Sequence, residues 1–213
     1  MQCHLGLKRT ISRVAIASVA AICSFNTLSA PAFAEDRFNN NSILFELDTI
    51  IEFEFLESNG AYQSTFGVVN LETGEKTPLL VEVRPSDRIQ SVERPSNYQD
   101  DAGQANPDDF KGTPGNAVPQ PLVAFEFKAN TPYAFYLESS LNGRPVGILY
   151  SINRENPGGN QQIRFQGNFT DLGDGGVLLR WDDTGSALVR SDLQDVDFDD
   201  FIIGVGGYLD CPF

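Results

Sequence analysis

Apolar and charged residues alternate with a period of two along short segments of this chain, and that alternation confines it to β structure. Ile51, Phe53 and Phe55 alternate with Glu52 and Glu54, and Val123, Phe125 and Phe127 with Ala124, Glu126 and Lys128. Ile163, Phe165 and Phe169 alternate with Arg164, Gln166 and Asn168. Successive side chains of a strand point to opposite faces, so each segment reads as a strand with one buried and one wet face. Further strands are predicted near 62–70, 79–84, 133–138, 146–152, 177–181 and 201–208. Turn residues separate them: Glu72-Thr73-Gly74, Asn142-Gly143 and Asn156-Pro157-Gly158-Gly159. About nine short strands without a helical stripe predict an all-β fold, an antiparallel β-sandwich of jelly-roll type. Sixteen Phe and six Tyr supply the bulk that two packed sheets need.

The amino-terminal stretch is expected to be removed. Residues 1–34 combine Lys8, Arg9 and Arg13, an apolar run over 14–25 and Ala32-Phe33-Ala34 before Glu35-Asp36, the pattern of a secretory signal peptide. The run is short for a membrane span, and no later run is long and apolar enough to cross a bilayer. The expected product is one β-sandwich domain, 35–213, secreted or periplasmic. Within it, 85–121 carries Pro85, Pro95, Pro107, Pro114, Pro119 and Pro121 with acidic pairs at Asp100-Asp101 and Asp108-Asp109, and reads as one long acidic, proline-rich loop.

Loss of the signal narrows the chemistry. His4 and two of the three cysteines, Cys3 and Cys23, leave with it, so 35–213 contains no histidine. Histidine-based triads, histidine general bases and ordinary zinc sites are excluded. The segment keeps twelve basic against twenty-nine acidic residues, a formal charge of −17, which opposes nucleic acid and anionic lipid as partners and favours cations. Cys211 remains as a single thiol, open to an intermolecular disulfide dimer.

The acidic residues are also crowded. Asp195, Asp197, Asp199 and Asp200 fall within six residues, and Asp182-Asp183 follow Trp181. Two ionised carboxylates about 5 Å apart repel by about 3 kcal/mol at an effective dielectric of 20, so a converging group calls for a cation. Calcium takes six to eight oxygen ligands in flexible geometry and suits this donor set. The run is not an EF-hand: counted from Asp195, position 6 is Asp200 where glycine is needed, and position 12 is Gly206 where glutamate is needed. The expected site joins Asp182 and Asp183, at the end of one strand, to Asp195, Asp197, Asp199 and Asp200 in the turn leading into the last. The alternative is a solvated acidic loop with its carboxylates pointing outward.

The segments FEFLESNGAYQSTFGVVNLETG (53–74), LRWDD (179–183) and DVDFDDFII (195–203) together resemble a bacterial family of secreted domains of unknown function, common in cyanobacterial exoproteins. In that family a tryptophan and acidic pair precedes a terminal Asp-x-Asp-Phe-Asn-Asp motif. The resemblance implies a β-sandwich with a calcium site and an extracellular or surface setting, without an established activity. Asp195, Asp197 and Asp200 match the motif's acidic positions. Asp199 stands where Asn is frequent, and Asp182-Asp183 where Glu-Asp is frequent.

Two functional classes follow. The first is a calcium-stabilised binding or structural module of the cell envelope or exterior, with polysaccharide or other surface proteins as partners and Trp181, Tyr133, Tyr136 and Tyr150 as aromatic contacts. The second is a carbohydrate-active enzyme, a glycoside hydrolase or lyase using paired carboxylates such as Glu126 and Glu138. The first is preferred and no enzyme is expected, because Glu126 and Glu138 alternate with apolar residues as solvent-facing charges do. No nucleophile motif or phosphate-binding glycine loop accompanies them.

Overall fold

The strands form close to the expected positions, although the strand expected at 79–84 runs over 76–81 and the one expected to reach Phe169 ends at Gly167. The computed structural model describes residues 38, 40–59, 62–87, 111–167, 169, 176–183 and 196–208. The predicted signal segment 1–34, Asp195 and Cys211 lie outside the described residues. Among the described residues nine strands run in chain order: β1 (Thr49–Ser58), β2 (Gln63–Asn70), β3 (Lys76–Val81), β4 (Leu122–Phe127), β5 (Tyr133–Leu141), β6 (Arg144–Tyr150), β7 (Ile163–Gly167), β8 (Val177–Trp181) and β9 (Phe201–Tyr208). Two single 3₁₀ turns, Asn153–Glu155 and Pro157–Gly159, connect β6 to β7.

All pairings are antiparallel, and the fold is all-β with two sheets: β4-β1-β9-β8-β7 and β3-β2-β5-β6. β1 lies between β4 and β9, pairing Ile51 with Phe125 on one side and Phe53 with Val205 on the other. The inner faces meet in a single phenylalanine-rich core. Phe53 of the first sheet lies 5.6 Å from Phe66 and 5.7 Å from Phe135 of the second, measured between ring centroids, and all three are fully buried. Phe38 and Phe45 close one part of that core against Phe135 and Phe127. Each such side chain contributes about 1.5–3 kcal/mol on burial, and offset or edge-to-face ring pairs add to this.

Turn chemistry sets the registers. Asn142 and Gly143 both take positive φ (51° and 72°), the conformation a two-residue hairpin between β5 and β6 requires. Gly67 of β2 is required for another reason: a Cβ there would collide with the Thr77 carbonyl oxygen and lie 2.6 Å from the Tyr136 hydroxyl. The Tyr136 ring crosses the sheet over that bare backbone. The two edge strands of the second sheet each carry a proline at a register shift, Pro78 on β3 and Pro145 on β6.

Within the expected loop 85–121, residues 111–121 carry only turns and isolated bridges, and they are anchored to the sandwich. Ala117 and Val118 are buried in the core, and Gly112 exchanges two backbone hydrogen bonds with Ser58, at 2.8 and 3.1 Å. The Asp87 carboxylate accepts from Thr113 N (3.0 Å) and Thr113 Oγ1 (2.6 Å), tying the two ends of the segment together. This anchoring uses backbone bridges and a side-chain cap, which leave no apolar periodicity to read. Residues 88–110 lie outside the described residues.

Truncation of Phe53 removes ring contacts to both sheets. Phe53→Ala is expected to lower stability by about 3–5 kcal/mol, read as a reduced urea midpoint with an unchanged slope.

Candidate functional site

One end of the sandwich gathers the acidic residues. β8 ends at Trp181, which pairs with Phe201, the first residue of β9; Phe201 in turn marks the register of Ser58 at the end of β1. Asp182 and Asp183 therefore leave β8 beside the point where Asp200 enters β9. Trp181 is fully buried, and the backbone that follows it at this depth is hydrogen-bonded. Asp182 N donates to the Gln162 carbonyl (3.0 Å), and Gln162 Nε2 donates back to the Asp182 carbonyl (3.0 Å). Asp183 N donates to Asp200 Oδ2 at 2.8 Å.

The turn before β9 is held in an unusual shape. Phe198 has φ +66°, a left-handed conformation that costs a residue with a large side chain about 1 kcal/mol or more. Two arginines on neighbouring strands hold it there. The Arg164 guanidinium carbon sits 3.7 Å from the centroid of the buried Phe198 ring, and Arg180 Nη1 donates to the Phe198 carbonyl at 3.3 Å. From the other side Asn59 N donates to the Asp200 carbonyl (3.1 Å) and Asn59 Nδ2 to the Asp199 carbonyl (3.0 Å). Asp199 N donates to Asp197 Oδ1 at 3.2 Å.

The predicted ligands thus divide. Asp182, Asp183 and Asp200 are buried, at 1, 2 and 4 % exposure. Asp197 is exposed and Asp199 half-buried at the rim. Among the described residues, no group of three or more histidine, cysteine or carboxylate side chains stands in an arrangement that could hold a metal ion, and Asp195 is outside them. A solvated loop of outward-pointing carboxylates does not describe the buried three.

A fourth buried carboxylate, Glu82, belongs to this region and was not among the expected ligands. It follows β3 in the other sheet and is 1 % exposed. Its Oε1 accepts from Ser58 Oγ (2.5 Å) and its Oε2 from Ser64 N (2.6 Å), while Gln63 Nε2 donates to its carbonyl (2.7 Å). The signal in the sequence is parity: Glu82 is two residues from the core residue Leu80 and so shares its inward phase.

Electrostatics joins the four. Burial pushes the Glu82 carboxyl from 4.5 up to about 8, against the two hydrogen bonds that favour its ionised form, and the nearby Asp183 charge pushes it further up. Burial likewise raises Asp200 well above the usual carboxylate range, with Asp183 next in effect, and Asp182 and Asp197 acting in the same direction. All donors here are oxygens, the hard-ligand chemistry that calcium takes and zinc or copper does not prefer.

The other expected pairings are not brought together. Glu126 on β4 and Glu138 on β5 are exposed on the outer faces of different sheets, and Glu126 pairs with Lys128 Nζ at 2.7 Å. Of the aromatic contacts, Trp181, Tyr133 and Tyr136 are buried and Tyr150 is half-buried, so three of the four have no ring face open to a sugar. No family model, curated protein or solved structure matches the chain.

A carboxyl whose folded pKa is raised binds its proton more tightly when folded. Its contribution to stability is complete below the unfolded value near 4.5 and is lost as pH rises through about 8. In chelator, the melting temperature of the protein is expected to fall between pH 5 and pH 8, and Glu82→Gln to flatten that slope, as read by calorimetry across the pH series.

Proposed function

We propose that this protein is a calcium-stabilised β-sandwich module with a binding or structural role at the cell envelope or outside the cell. The observation that carries the reading is the group of buried carboxylates, Glu82, Asp182, Asp183 and Asp200, drawn from both sheets to one end, where burial and the Asp183 charge raise the proton affinity of both Glu82 and Asp200. Such a group is relieved either by protons or by a divalent ion. Above neutral pH protons are scarce, and calcium is the ion whose ligand chemistry fits.

In this reading Asp183 and Asp200 supply central carboxylate oxygens, Asp182 and Glu82 support them, and Asp197 and Asp199 stand at the rim where water completes a shell. The ion fastens the entry of β9 to the exit of β8 and to the Glu82 segment, so its binding free energy is folding free energy. The resemblance to secreted bacterial exoprotein domains, export by the amino-terminal segment, partners among surface polysaccharides or proteins, and a Cys211-linked dimer belong to the same proposal. Trp181, the only tryptophan, adjoins Asp182 and reports the site by its fluorescence.

Thermal melts with and without calcium test it. At a hundredfold excess over the dissociation constant, calcium is expected to add about 2.7 kcal/mol, with half-saturation in the range of about 10⁻⁴ to 10⁻³ M. Asp200→Asn keeps an oxygen to accept from Asp183 N but removes a like charge. It is expected to melt at or above the wild type in chelator and to lose the calcium shift. A wild type indifferent to calcium, or an unchanged shift in Asp200→Asn, defeats the reading.

A further inference from the structure

Each sheet has two rims, and those of β3, β6 and β7 are obstructed. Pro78 on β3 and Pro145 on β6 each stand at a register shift. On β6 the Asn156 side chain also takes both backbone groups of Tyr150, accepting from its N (2.8 Å) and donating to its carbonyl (2.8 Å). On β7 the bond from Asp182 N to the Gln162 carbonyl turns the even-numbered residues toward β8 and leaves Ile163 on the rim, where Gln161 Nε2 donates to its carbonyl at 2.8 Å.

β4 differs. It has no proline, no register shift and, among the described residues, no hydrogen bond on its outer side. Phe55 N donates to the Pro121 carbonyl (2.7 Å), one step beyond the Glu54–Leu122 pair. Hydrogen-bonded pairs alternate along an antiparallel ladder, so Val123, Phe125 and Phe127 turn their backbone groups toward β1. Leu122, Ala124 and Glu126 turn theirs outward.

The same rim leaves core residues uncovered. Phe127, at the end of β4, is fully buried against Phe45 and Tyr133. Val123 and Phe125 share its inward phase and pack on the core, yet they are only half-buried. A further strand beside β4 would cover them. On the outer face Glu54 lies opposite Leu122 and Glu52 opposite Ala124, and neither carboxylate is ion-paired among the described residues. Lys128, just past β4, is already held by Glu126 (2.7 Å) and Asp48 (3.1 Å). The short side chain of Ala124 leaves Glu52, two strand spacings or about 10 Å from an added strand, within reach of a lysine.

From these features we infer that the free rim of β4 binds an extended peptide of another protein, with apolar and basic residues in alternation, as a sixth strand of the first sheet. Its apolar residues cover Val123 and Phe125, and its basic residues lie on the outer face toward Glu52 and Glu54. A second copy of this chain fits poorly, since two chains of net charge −14 repel. Such a peptide gives the binding role proposed above its partner class, and none of the rim residues belongs to the calcium site.

Two-dimensional amide NMR of the purified protein in calcium buffer, titrated with acetyl-Lys-Val-Lys-Val-Lys-Val-amide, tests the rim. Saturable shifts and slowed amide exchange are expected at Leu122, Ala124 and Glu126, whereas Val123 and Phe125, already bonded to β1, keep their exchange rates. The block peptide acetyl-Lys-Lys-Lys-Val-Val-Val-amide, of equal charge, is expected to bind about tenfold more weakly. Ala124→Pro, which removes a rim N–H and no bond to β1, is expected to weaken binding about tenfold, and Glu52→Gln combined with Glu54→Gln about threefold. Absence of saturable shifts, equal binding of the block peptide, unchanged affinity in Ala124→Pro with a native-like spectrum, or a peptide-free dimer that Ala124→Pro dissociates overturns the inference. None of these outcomes alters the calcium melts, so the two readings fail separately.

Discussion

The pairing of β1 with β9 is the contact on which the first sheet depends. These are the first and the last of the nine strands among the described residues, and between them they bring β4 to one side and β8 with β7 to the other. Until β9 is in register, Phe53 and Phe55 lack their cross-strand neighbours Val205 and Ile203. Contacts so distant along the chain carry a large loop-closure cost before any burial rewards them, which makes this topology intrinsically slow to assemble.

The acidic end acts on that same closure. Asp200 immediately precedes β9, its carbonyl is held by Asn59 just past β1, and its carboxylate is met by Asp183 just past β8. Like charge buried at this junction pushes apart the strands whose pairing completes the sheet. Whatever neutralises the carboxylates therefore controls how firmly β9 is seated, well beyond the local energy of any one hydrogen bond. Arg164 and Arg180 contribute by holding Phe198, through its ring face and its carbonyl, in a backbone shape that its own side chain disfavours.

Strand positions could be read in the amino-acid order because each strand buries one face: the Ile51, Phe53, Phe55 phase and the Asn142-Gly143 turn are local signals with local causes. The identity of the buried carboxylates was only half readable. Crowding pointed to Asp182, Asp183 and Asp200, yet it gave equal weight to Asp197 and Asp199, which burial separates from them. Glu82 carries the inward phase of Leu80, but an inward charge just past an edge strand looks like an error in the pattern until Ser58 of β1 and Ser64 of β2 supply its hydrogen bonds. The anchoring of residues 111–118 was invisible for a related reason, since a backbone bridge between Gly112 and Ser58 leaves no trace in side-chain order.

Pro78 and Pro145 interrupt both outer rims of the four-stranded sheet. A proline has no amide hydrogen to offer an incoming strand, and each lies where the local register already slips. Copies of this protein meeting rim to rim thus find a broken template, so the sheet resists the ribbon-like self-stacking to which a long, unguarded border would expose it.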